Sequence, residues 1–249
     1  MAEVLKLSKT AATPVTEGPP GFVLTETARE VFDALDFVVR LSGPRLGMIA
    51  GASGVGISRA IAAYAQTRAD VDVFPCVQSE GDTRSFAEAW CRSWDWNDKG
   101  NLSLPARRKA MLPRVRGRLT IFDNAHHLDP SAIEWALGVA DEAGGDVAFC
   151  GGLSLRKTFT DNDQLRGRML MPCVFTGAKK GDVSAIARAE GLVRDGIPDA
   201  LDGVSRFGGA LRNVFNVVEL ARVFAQGAPV GLADVIAAIE ALQFGKGGK

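Results

Sequence analysis

No cysteine in this chain has a partner at metal-ligand or redox spacing. The four, Cys76, Cys91, Cys150 and Cys173, are scattered and form no C-x-x-C pair, which removes the usual sequence case for a zinc or thiol-redox motif. Three of them fall in apolar, strand-like runs and read as buried free thiols. An excess of charge is missing as well. Lys plus Arg and Asp plus Glu each number 29, so any surface for nucleic acid must come from local clustering. No stretch reaches the roughly 18 apolar residues that a membrane helix needs, and the N-terminus lacks a signal-peptide apolar core. The expectation is a cytoplasmic chain with no membrane partner. What is present is a composition of 47% hydrophobic and 23% charged residues over 249 positions. That suffices for one large domain or a core with a small appended subdomain.

The chain divides by pattern. Residues 1–21 mix Thr, Pro and Gly without periodicity and read as a flexible arm. Residues 22–178 alternate helical and strand patterns. A helix is predicted over 25–40, where Ala28, Val31, Phe32, Leu35 and Val38 recur at helical spacing. An apolar run over 45–50 leads into a glycine loop at 51–56 and an Ala-rich helix over 57–68. Strands are predicted at 71–77, 118–123, 146–150 and 173–175, and helices at 83–94, 105–116 and 130–143. Strands alternating with helices predict an α/β fold with a parallel sheet covered on both faces. Residues 179–249 carry only helical patterns and read as a small helical subdomain, ending in a frayed Gly/Lys tail.

The loop GASGVGIS at 51–58 matches the phosphate-loop pattern G-x-x-x-x-G-K-[ST] at every position but one. Its glycines let backbone N–H groups turn inward, and the helix behind it adds partial positive charge. Gly51, Ser53, Gly54, Val55, Gly56, Ile57, Ser58 and Arg59 are therefore the candidate nucleotide-binding residues. Ser58 stands where a Mg²⁺-binding hydroxyl belongs. Ile57 stands where a lysine should reach the phosphates, and a hydrocarbon supplies neither charge nor donor. A bare glycine turn without a ligand is the alternative for the loop alone. A second match weighs against it: LTIFD at 119–123 is an apolar strand ending in Asp123, a second candidate for Mg²⁺. Asn124 follows, able to orient a water but unable to take its proton. His126 and His127 come next and read as a helix-entry loop rather than a metal site.

In this order the loop, IFDNAHHL at 121–128, FCGGLSL at 149–155 and DQLRGR at 163–168 resemble the AAA+ ATPases of DNA transposition, the phage Mu B-type target-DNA activators and related regulators. The resemblance covers about residues 25–242. It implies a parallel-sheet P-loop core with a helical lid, ATP or ADP with Mg²⁺ as cofactor, and assembly as a homo-oligomer or with a related AAA+ subunit. It also implies nonspecific duplex DNA and a transposase, or another protein, as partners. Arg168 is implied as an arginine finger offered to a neighbouring subunit, and Arg212, in GALR at 209–212, as the sensor-2 residue. The separate N-terminal DNA-binding domain of the Mu protein is expected to find no room in this length.

Three positions depart from the family pattern. Ile57 replaces the lysine, Asn124 the catalytic glutamate, and Gly151 or Gly152 the polar sensor-1 residue. Loss of one charged transition-state contact costs about 3 kcal/mol or more, so a weak nucleotide site and little hydrolysis are expected. Between 105 and 118 lie Arg107, Arg108, Lys109, Arg114, Arg116 and Arg118 with no acid among them, a candidate DNA-backbone surface. A solvated helix face paired with Glu80 and Asp82 is the plain alternative. Phe86, Trp90 and Trp94 share a helical face and read as core, with Trp96 nearby. The reading favoured is a DNA-binding assembly protein that recruits or regulates a transposase. The alternatives are a working nucleotide switch with Arg59 or Lys157 replacing the lysine, and a pseudo-ATPase that binds only protein partners.

Overall fold

The structure of the protein, a computed structural model, describes residues 18–40, 46–94, 102–194 and 196–244. The predicted segments 1–17 and 245–249, the strand position at 45 and Trp96 lie outside the described residues.

Five parallel strands form one sheet in the order β2-β3-β4-β1-β5. They are β1 (Leu46–Gly51), β2 (Val71–Pro75), β3 (Leu119–Asp123), β4 (Asp146–Gly152) and β5 (Met169–Phe175). Every residue of β1 is buried, as a central strand covered on both faces requires. On one face lie α1 (Glu26–Arg40) and α2 (Ile57–Gln66). On the other lie α3 (Thr83–Arg92), α4 (Leu104–Val115) and α5 (Pro130–Ala143). The first face is closed by Val31, Phe32, Leu35, Ile61 and Tyr64. The second centres on an aromatic cluster in which the Trp90 ring meets Phe122 edge-on at 4.9 Å and stacks near Phe86 at 5.8 Å. Trp90 and Phe86 are buried and Trp94 packs against them, which makes this face of α3 core.

Two short helices occupy the stretch between β4 and β5 that the sequence pattern leaves as loop. They are α6 (Ser154–Asp161) and α7 (Asp163–Arg168). Leu155 and Phe159 are spaced one turn apart and fully buried, and Asn162 caps α7 through the N–H groups of Gln164 and Leu165. β5 consequently begins at 169 rather than 173. Cys76, Cys91 and Cys150 are buried free thiols, and Cys173 is half-buried. Burial pushes the Cys76 and Cys150 thiols well above their usual range, so they are inert.

After β5 the chain is helical: α8 (Lys180–Ala189), α9 (Ile197–Ser205), α10 (Ala210–Phe224) and α11 (Leu232–Leu242). They close around a separate cluster that includes Ile186, Leu201, Val214 and Val217. A buried carboxylate ties this bundle to α1. Asp182 accepts from the Thr27 N–H at 2.8 Å, the Thr27 hydroxyl at 2.6 Å and the Lys179 N–H at 3.1 Å.

Candidate nucleotide site

The cavity that gathers the predicted residues lies at the C-terminal edge of the sheet, with a volume of about 470 Å³. That lies within the range of small-molecule sites, and its position is where open α/β sheets bind ligands. One wall is the loop between β1 and α2. Gly54 and Gly56 take left-handed φ values of 84° and 102°, which glycine adopts freely. The exposed Ser58 hydroxyl and the Asp123 carboxylate line the same cavity. Glycine loop, helix N-terminus, hydroxyl and carboxylate together fit a nucleoside polyphosphate and its Mg²⁺.

Ile57 borders that space with hydrocarbon alone. It is only 7% exposed and belongs to the apolar cluster under the loop. A Cβ on Gly51 would sit 2.6 Å from Ile57 Cδ1 and 2.9 Å from Val55 Cγ2. The loop thus closes on hydrocarbon.

The opposite wall is the start of α10. The Arg212 N–H donates to the Gly54 carbonyl at 3.2 Å, and its guanidinium donates to the Ser53 hydroxyl at 3.2 Å. Arg59 lies over the Phe215 ring with its guanidinium carbon 4.5 Å from the centroid, a cation–π contact. The helical bundle therefore sits directly on the loop. A Cβ at position 54 would lie 1.9 Å from the Gly209 carbonyl oxygen. Gly54→Ala is expected to force α10 off the loop and to cost about 2 kcal/mol or more, because strain at positive φ adds to the clash. Faster amide exchange at Arg212, with a lowered melting temperature, is the check.

Asn124 adopts φ 57°, ψ 29°, and its N–H donates to Asp123 Oδ1 at 2.9 Å. Asn tolerates this left-handed conformation better than residues with longer side chains. Position 124 is thus held in a backbone shape that disfavours glutamate. Asn124→Glu is expected to destabilise the fold by about 1 kcal/mol without creating turnover, as denaturant titration and phosphate release would report.

His126 and His127 also line the cavity, their rings 4.1 Å apart. The His126 Nδ1 accepts from the Gly152 N–H at 3.0 Å. Burial, and secondly the neighbouring His127, hold His126 below the ordinary imidazole range, with Asp123 opposing. Gly151 and Gly152 line the cavity edge beneath this ring. The sequence holds one signal for His126 that its local pattern does not reveal: two glycines at a strand end leave room for a side chain from the adjacent loop.

Other predicted residues are not brought here. Arg168 is an exposed residue whose guanidinium pairs with Asp141 of its own chain. Lys157 lines a different depression, beside Asp161 and Asp163. The basic run separates into three groups. Arg107 requires a correction as a DNA contact: it is fully buried, donating to the Arg84 carbonyl at 3.3 Å and to Glu88 at 3.4 Å. The helical repeat puts it on the same stripe as the buried Met111 and Val115. Arg108 pairs with Glu142 and the Gly138 carbonyl, and Arg118 with Asp72. Lys109, Arg114 and Arg116 are exposed. Glu80 pairs with Arg92, and Asp82 caps α3, so neither neutralises the run.

The fold is similar to that of solved proteins of known structure. The Aeropyrum pernix ORC2 protein, solved as ADPNP-ADP complexes, superposes with a TM-score of 0.58 at 15% identity, over 86% of this chain and 66% of that one. The Thermotoga maritima RuvB Holliday junction branch migration motor gives 0.57 at 14%, over 87% and 68%. Parallel sheet, glycine loop and helical C-terminal region together match the fold of P-loop AAA+ ATPases. In sequence the chain is similar to Mu B proteins. Residues 167–242 match the family model described as Mu B transposition protein, C terminal. The Mu-like prophage FluMu DNA transposition protein B of Haemophilus influenzae is 28% identical over 213 residues, 78% of this chain and 70% of that protein. The ATP-dependent target DNA activator B of Escherichia phage Mu is 25% identical over 219 residues, 84% and 69% respectively. No helix among the described residues is long and apolar enough to cross a membrane.

Proposed function

We propose that this chain is a DNA-transposition AAA+ protein that binds duplex DNA nonspecifically and assembles into oligomers to recruit or regulate a transposase. Its nucleotide site holds ATP or ADP weakly and hydrolyses little. The observation that carries the nucleotide part is the closed hydrocarbon packing of Ile57 beneath an otherwise well-formed loop. Ser58 and Asp123 retain the oxygen ligands for Mg²⁺, which when bound offsets phosphate charge. The phosphate loop orients the polyphosphate through backbone N–H groups, and Arg212 supplies positive charge from the lid. No group at position 124 takes a proton from water. The core is read as residues 22–178 and the lid as 179–249, so that nucleotide in the cleft couples the two.

The names of the relatives, a DNA transposition protein and a target DNA activator, support the DNA and transposase partners. Lys109, Arg114 and Arg116 are the exposed members of the basic run, and they neutralise DNA phosphates on this reading. Arg168 is the contact offered across a subunit interface, released from Asp141 on assembly. A second reading, a working nucleotide switch, draws support from Arg59, which lines the cavity.

Binding to random duplex across a salt series tests the DNA reading. The native protein should bind with a steep salt dependence. The Lys109→Ala/Arg114→Ala/Arg116→Ala variant should bind more weakly, with the slope reduced by about 1 for each DNA phosphate no longer neutralised. Equal binding and equal slope would exclude this surface, and no binding by the native protein would favour an adaptor for protein partners alone.

A further inference from the structure

We propose that His126 contacts the terminal phosphate of a nucleoside triphosphate in this cavity, in place of the side chain that β4 lacks at positions 151 and 152. This rests on reading the cavity as a nucleotide site, and it names the group that separates a triphosphate from a diphosphate there.

The placement follows from strand register. Gly152 is the pairing partner of Gly51, the first glycine of the phosphate loop, and adjacent strands run about 4.8 Å apart. A side chain over Gly152 is therefore one strand from the loop. The imidazole of His126 takes that place. A Cβ on Gly151 would lie 2.7 Å from His126 Nδ1, and one on Gly152 would lie 3.5 Å from the ring carbons. The two glycines and the histidine thus belong to one arrangement: the strand gives up its side chains and the loop after β3 supplies the polar group.

The hydrogen bond from the Gly152 N–H to Nδ1 also fixes the chemistry. Nδ1 must carry a lone pair, so in the neutral ring the proton resides on Nε2. His126 is then a single N–H donor without charge, in a cavity shared with Ser58, Asp123 and Arg212. Burial and the adjacent His127 favour that neutral form, and Asp123 is the group that opposes them.

The loop that carries the ring is held at several points. Ala125 is fully buried, and Leu128 is buried as well. A Cβ at Gly81 would lie 2.4 Å from the His127 carbonyl oxygen, while the Asp129 N–H donates to the Gly81 carbonyl at 2.9 Å. The donor is therefore positioned before any ligand arrives, which lowers the ordering cost of using it.

The chain has two histidines, so imidazole nitrogen resonances can be followed in the whole protein and assigned with His127→Asn. On titration with Mg-ATP the His126 Nε2 resonance should move, and with Mg-ADP it should move little. His126→Ala should weaken ATP binding about tenfold, the worth of one hydrogen bond to a charged group, and leave ADP nearly unchanged. His126→Gln, which keeps an N–H donor, should recover part of the difference. If the native protein binds ATP while the resonance stays still and His126→Ala binds equally well, His126 has no such role. If His126→Ala weakens ATP and ADP alike, the histidine merely shapes the cavity and the proposal fails. If the native protein binds neither nucleotide, the reading of the cavity itself falls, a result distinct from the other two.

Discussion

Ile57→Lys is expected to tighten Mg-ATP binding by about ten- to hundredfold, the worth of one or two hydrogen bonds from a cation to phosphate. The backbone of the site is already in place. Gly54 and Gly56 hold their left-handed conformations, and Ser58 and Asp123 line the same cavity. What the native loop lacks at position 57 is charge. A lysine stem can follow the isoleucine path beside Gly51 and carry its amine outward, since long basic side chains bury their methylenes and expose their heads. Packing in the apolar cluster is weakened, so the variant should melt slightly lower without nucleotide and be stabilised more by it. Turnover should remain near background, because Asn124 is unchanged. Calorimetry of the two proteins side by side decides the matter. Equal affinities would mean that the lysine position does not limit binding.

Asp182→Ala should cost about 3 kcal/mol or more, which lowers the melting temperature of a chain this size by roughly 10 °C. The carboxylate is fully buried and accepts three hydrogen bonds, two from Thr27 and one from the Lys179 backbone. Removing it leaves buried donors without acceptors at the joint where α1 meets the helical bundle. Thr27→Val removes only the hydroxyl donor and should cost about 1 kcal/mol. Thermal unfolding of both variants is the measurement. A loss below 1 kcal/mol for Asp182→Ala would show that the joint is carried by apolar packing and the half-buried Lys179 pairs with Glu26 and Glu30.

Much of the fold was legible because the strands are short apolar runs bounded by turn residues. The runs at 46–51, 71–75, 119–123 and 146–152 became strands close to where the apolar runs placed them, and the helical patterns after 179 became α8 to α11. The missed elements have a common cause. In α6 only Leu155 and Phe159 face the core, too few positions for a period to emerge from eight residues. The glycine loop between strand and helix was legible from its pattern, yet the inward packing of Ile57 depends on Val55 and on the sheet beneath. Arg107 shows the opposite failure. A run of like charges reads as one surface, while the helical repeat turns its first member into the core. The placement of His126 beside the end of β4 arises from pairing between β3 and β4, which no local window contains.

A nucleotide site that is built but does not turn over should reveal itself in phosphate release. The decisive measurement is release from Mg-ATP by the native protein with saturating random duplex, beside Asp123→Ala. The expected result is the same background rate for both proteins, while ATP binding to the native one remains measurable. Release well above background that disappears in Asp123→Ala would contradict this and identify a working ATPase that manages without lysine at 57 and glutamate at 124.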